Sequence, residues 1–185
     1  VVPDFEGLPD DPPPLEFQVS DPEVLRSRLT AAGLRDVVVD RDAMEARLDD
    51  CSDLERVWVL SLLGRGEEAV TEARKVLADS QDPFRALLVL AYAYQRLYRW
   101  QDAARIQERA LRLARTKFCE AQVRHQIGRR LFDEGLHLAA AAEFDWAAAL
   151  YQAAGRPRAA LASAAARDRA RKVHRQSRLP DQTEP

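Results

Sequence analysis

Two stretches of this 185-residue chain are spelled alike, and that likeness restricts the fold more than any other feature of the sequence. Leu87-x-x-Leu90-Ala91-x-x-Tyr94 runs on to Ala103 and Ala110, and Ile127-Gly128-x-x-Leu131 runs on to Ala140, Phe144 and Ala147. Steps of three and four residues place the apolar positions of each stretch on one helical face. Each copy therefore encodes a helix, a tight turn and a second helix, with Ala or Gly where two backbones approach. A single hairpin cannot enclose its own apolar stripe, so the copies are expected to stack on one another.

A weaker copy precedes these two. Gly64, Tyr98 and Gly135 stand at the turns, and Ala69, Ala103 and Ala140 follow each turn by five residues, 34 and 37 residues apart. A helix–turn–helix unit of about 34 residues with small contact residues resembles the tetratricopeptide repeat. The third copy carries Ile127, Gly128, Leu131, Ala140, Phe144 and Ala147 at the family's positions, and the second carries Leu87, Leu90, Ala91, Tyr94, Ala103 and Ala110. In the first, only Gly64, Ala69 and Val76 fit well. Val57 stands where a small residue is expected, Gln107 where the second copy should have an aromatic, and no copy has the closing Pro at its usual place.

The resemblance covers roughly residues 50–153 and implies an all-α, right-handed superhelical solenoid. The first helix of each pair would line a concave face that holds an extended peptide or a partner's helix. The implied groove positions are Leu54, Trp58 and Ser61; Arg85, Leu88, Tyr92, Gln95 and Arg96; and Gln122, His125, Arg129, Phe132 and Asp133. Arginine beside aromatics suits an acidic partner, because guanidinium binds carboxylate bidentately and stacks on rings. Some family members grip chaperone C-termini through a Lys/Asn/Arg clamp. Leu54, Trp58, Val89, Gln122 and Gln126 occupy the corresponding positions here, so that clamp is absent.

Around the repeats the chain reads as follows. Residues 1–20, acidic and with five of the ten prolines, form an extended arm. Residues 21–50 are a helical lead-in, opened by the Asp21-Pro22 start signal, in which Asp caps and Pro fits the first turn. The repeats divide at about 51–82, 83–117 and 118–155, and 156–176 is a basic helix followed by a tail, 177–185. That last helix reads as a cap, with Leu161, Ala164, Ala165 and Val173 covering the end of the stack and its charges facing solvent.

Charge is unevenly spread. Residues 1–55 hold 15 acids and 5 bases, 56–155 hold 12 and 15, and 156–185 hold 3 and 8. The acidic arm is thus complementary to the arginine-lined groove, and the last helix is a candidate for nucleic acid or another polyanion. Three lysines against 25 arginines, with no asparagine, is the bias of a GC-rich bacterial genome. No apolar run approaches the ~20 residues that span a bilayer, and no charged-then-apolar leader opens the sequence, so no membrane partner and a cytoplasmic location are expected.

Chemistry is sparse. His125, His137 and His174 are scattered, and Glu134-x-x-His137 straddles the Gly135 turn without the second copy that a di-iron site needs. Cys119 and His125 do not converge on a helix, and Cys51 and Cys119 have neither metal-ligand nor disulfide spacing. Neither a Gly-rich phosphate loop nor a Gly-x-Ser-x-Gly elbow occurs. The expectation is a non-catalytic adaptor or scaffold without metal or cofactor that binds a protein or peptide. The alternatives are a polyanion-binding module and an oligomerisation or sensor domain, with a homodimer possible under the latter.

Overall fold

The computed structural model describes residues 41–177. The chain divides into two units, Val1–Val39 and Asp40–Pro185, and the described residues belong to the second. The extended arm, the Asp21-Pro22 helix start and the end of the tail lie outside the described residues. Within them the fold is all-helical, with eight helices and no strand: α1 (Arg41–Ala46), α2 (Asp53–Leu62), α3 (Gly66–Asp79), α4 (Pro83–Arg96), α5 (Trp100–Leu113), α6 (Lys117–Asp133), α7 (His137–Ala153) and α8 (Pro157–Gln176).

Local chemistry sets the boundaries. Asp82 accepts a hydrogen bond from the Phe84 amide at 3.2 Å, and Pro83 fills the first turn of α4. Thr116 caps α6 by accepting from the Cys119 amide at 3.1 Å. At the start of α2, the Glu55 carboxylate accepts from the Ser52 amide at 2.9 Å, and the Ser52 hydrogen bonds hold its pKa below the ordinary value.

Four helices end on one device. Gly64, Tyr98, Gly135 and Gly155 have φ between 58° and 82°, the left-handed region. The amide after each reaches back to a carbonyl in the final helical turn: Arg65 to Leu60, Arg99 to Tyr94, Leu136 to Leu131 and Arg156 to Tyr151, at 2.8–3.0 Å. This is the Schellman arrangement, which satisfies otherwise orphaned carbonyls. The fourth turn repeats the pattern of the other three, and Ala160 follows Gly155 by the same five residues as the earlier alanines follow their turns.

Each helix from α2 onward packs on the next in sequence, and α2 also contacts α4, as α4 contacts α6. All ten expected packing residues are buried: Ala69, Leu90, Ala91, Tyr94, Ala103, Ala110, Gly128, Ala140, Phe144 and Ala147. Residues sixteen apart explain the departures from the repeat. Gly128 leaves room for Phe144, and a Cβ on it would lie 2.8 Å from two ring carbons. In the first copy the sizes are exchanged: Val57 is fully buried in the same cluster as Ala73. In the second, Gln107 is buried and accepts a hydrogen bond from Arg130 Nε at 2.8 Å while donating to Gln95 at 3.3 Å.

The expected inner face of α8 needs correction. Leu161 is 71% exposed and Ala165 is also exposed, whereas Ala160, Ser163 and Ala170 are buried. The Gly155 turn fixes the register, so the apolar count along α8 alone misplaced the face.

Candidate functional site

The site is built by α2, α4, α6 and α8. Tyr92 and Arg96 stand one turn apart on α4, and Arg129 and Asp133 one turn apart on α6. Trp58 of α2 stacks on the Tyr92 ring, with centroids 4.3 Å apart and planes inclined by 29°. Tyr92 is 2% exposed. Its hydroxyl is buried without a hydrogen-bond partner, and so is Nε of Arg96. Burial pushes the Tyr92 phenol above its ordinary pKa, against the pull of Arg96 and Arg129.

Asp133 gathers the charges. Desolvation holds its carboxyl above the ordinary aspartate range, while Arg129, Arg96 and Arg169 favour the ionised form. Arg169 arrives from α8, its guanidinium carbon 5.4 Å from the centre of the Phe132 ring. Cations from three helices thus act on Asp133.

The remaining expected positions lie elsewhere. Arg85 is exposed at the start of α4 and acts on Glu55, and Gln122 is half-buried in the first half of α6. Gln95 is turned inward to Gln107, which leads on to Arg130 and its ion-pair partner Glu134. His125 is also inward. Its Nδ1 lies 2.8 Å from Ser163 Oγ on α8, and its ring meets Phe144 edge-on at 5.1 Å. Burial, and then Arg129, pushes its pKa down to about 3, so the imidazole is neutral and ties α6 to α8.

Arg169 and Ser163 were not among the expected site residues. The signal that places them is the fourth Gly–x₄–Ala spacing, Gly155 to Ala160, which aligns α8 with the earlier turns.

Two other surfaces stand apart from this cluster. On α7, Trp146 is half-exposed with the Arg124 guanidinium stacked 3.7 Å over its ring, and Arg124 also pairs with Glu143 at 3.3 Å. On α8, Arg167 pairs with Asp145 at 2.6 Å and with Asp168 at 2.9 Å, while Arg158, Lys172 and Arg175 face solvent.

Among the described residues, no group of three or more His, Cys, Asp and Glu is placed to hold a metal ion, and Cys51 and Cys119 are free. No helix among them is long and apolar enough to cross a membrane. Comparisons with family models, with curated proteins and with solved structures find no match to this chain.

Proposed function

We propose that the chain is a non-catalytic protein-interaction module, a tetratricopeptide-like solenoid that holds a peptide or a partner's helix on the concave face lined by α2, α4 and α6. Four equivalent turns support the solenoid reading, as does the contact of α2 with α4 and of α4 with α6 alongside the sequential packing. The observation that carries the functional reading is the Trp58–Tyr92 stack set beside Arg96 and Arg129 on that face. Aromatic and arginine side chains in a partly desolvated setting are the usual anchors of protein interfaces.

The test is retention of short random peptides by the immobilised chain. The wild type and an Arg171→Glu/Lys172→Glu/Arg175→Glu variant should retain the same peptides, and Trp58→Ala should lose them. Retention indifferent to Trp58→Ala contradicts the reading.

A second reading, binding of nucleic acid or another polyanion through α8, is favoured by the exposed Arg158, Lys172 and Arg175. It predicts instead binding that falls steeply with salt and is abolished by the α8 charge reversal.

A further inference from the structure

The second helices of the three hairpins, α3, α5 and α7, turn different chemistry outward. On α3 the exposed positions include Glu67, Glu68, Arg74 and Lys75, and on α5 they include Arg105, Glu108, Arg109 and Arg112. On α7 they include Ala139, Ala142, Trp146, Ala149 and Ala153, with Leu138 55% exposed beside them; Asp145 and Gln152 are the polar exceptions. The opposite face of α7 is apolar too, with Ala140, Ala141, Phe144, Ala147 and Tyr151 buried. A helix that is apolar on both faces is ordinarily enclosed on both.

The outward residues have the spacing of a helix seam. Ala139, Ala142, Trp146, Ala149 and Ala153 follow one another at three, four, three and four residues, the alternation by which one helix lies along another in a coiled coil. Their order also sets a shape. Trp146 stands between Ala142 and Ala149, so two such seams laid antiparallel put each Trp146 against an alanine of the other copy. The fold already uses this exchange of large for small where Gly128 admits Phe144.

Charge at the rim favours the same pairing. Glu143 pairs with Arg124 at 3.3 Å, and Asp145 pairs with Arg167 at 2.6 Å and with Arg171 at 3.8 Å, so paired charges of both signs border the strip. Asp145 and Arg171 are each about half exposed. A two-fold contact sets a rim against the same rim of the other copy in reverse, which makes an acid and a base there complementary to themselves. The Arg124 guanidinium lies 3.7 Å over the Trp146 ring, and Trp and Arg are the side chains that most often anchor such contacts.

We infer that the outward face of α7 is a docking surface for a second copy of this chain, with the two α7 helices antiparallel about a two-fold axis and Trp146 near the centre. The strip from Ala139 to Ala153 is about 21 Å long and one helix wide. That is the scale of small, reversible interfaces, so the pair forms and parts at micromolar concentrations. Trp58, Tyr92 and Arg96 take no part, and the contact is independent of any peptide on the α2–α4–α6 face.

The experiment is sedimentation equilibrium of the full chain over about three decades of concentration centred near 10 µM. Ala142→Glu, Ala149→Glu and Trp146→Ala are run beside it, with Arg109→Glu on the outer face of α5 as the control for added negative charge. The urea midpoint of each variant checks folding. Ala142 and Ala149 are exposed, so the two glutamates leave the core intact.

The expected result is a mass that rises from 20.9 kDa to a plateau at twice that value. Association should be roughly tenfold weaker or worse in the three seam variants and unchanged in Arg109→Glu. A mass that stays at the single-chain value throughout overturns the inference, and so does one that climbs past the dimer without a plateau, as open-ended association would give. A dimer that the seam variants leave intact, or that Arg109→Glu weakens equally, overturns it as well.

Discussion

Gly128 is the position where packing and helix propensity make opposite demands, so Gly128→Ala separates them. Within a helix, Gly to Ala stabilises by about 0.8–1 kcal/mol when nothing obstructs the new methyl. Here the added Cβ would lie 2.8 Å from Cδ1 and Cε1 of Phe144 and 3.1 Å from its Cγ. The ring cannot swing away freely, because Phe144 is buried and its edge meets His125. Relieving such contacts in a packed interior costs about 1–3 kcal/mol, which exceeds the propensity gain. Net destabilisation of about 1 kcal/mol is expected, read as a lower urea midpoint at unchanged slope.

The control is the same substitution in a Phe144→Leu background, where the smaller side chain leaves room. There Gly128→Ala should be neutral or stabilising, giving a coupling energy of about 1–2 kcal/mol between the two sites. A stabilising Gly128→Ala in the otherwise unaltered chain, or the same effect in both backgrounds, would refute the close approach of α6 and α7.

Three further outcomes are expected. Tyr98 is the one residue other than glycine at φ 58° among the four equivalent turns and is largely exposed, so Tyr98→Gly should raise the urea midpoint by about 1 kcal/mol equivalent, less whatever its edge-on contact with Trp100 contributes. Gln107→Ala should destabilise by about 2–3 kcal/mol, since it leaves Arg130 Nε and the Gln95 side chain without their buried partner; a loss below about 0.5 kcal/mol would contradict the network. His125, with its folded-state pKa at about 3 and an ordinary value of 6.5, binds its proton more readily when unfolded. Its contribution to stability is therefore fully present above about pH 6.5 and is lost as pH falls toward 3, by about 1.4 kcal/mol per pH unit within that window. The direct check is NMR: the His125 ring signals should not titrate between pH 8 and 4.

Much of this fold was legible in residue types with a local job. Asp82-Pro83, Gly64 and Gly135 mark where helices begin and end because their backbone chemistry acts within a few residues. The buried alanines follow from the same turns by simple counting. What spacing could not supply was which large residue faces which small one. Val57 departs from the repeat but shares a buried cluster with Ala73, and Gln107 departs from it but holds Arg130 and Gln95. The same holds for the site. Tyr92, Arg96, Arg129 and Asp133 lie at the implied groove positions, and the structure brings them together. Arg169 reaches them from α8, thirty-six residues along the chain from Asp133, and the trace of it is the Gly155–Ala160 spacing outside the three repeat copies. Gln95 and His125 share the helical face of their neighbours yet turn inward, because a partner on another helix is within hydrogen-bond reach.

The proposed peptide-binding surface is best tested by NMR on the isotope-labelled 20.9 kDa chain, titrated with a peptide retained from the random pools. Shift changes should concentrate at the Trp58 indole and at the amides around Tyr92, Arg96, Arg129 and Asp133. Changes confined to the outward residues Arg158, Lys172 and Arg175 of α8, or to the Trp146 face of α7, would contradict a peptide-binding face built from α2, α4 and α6.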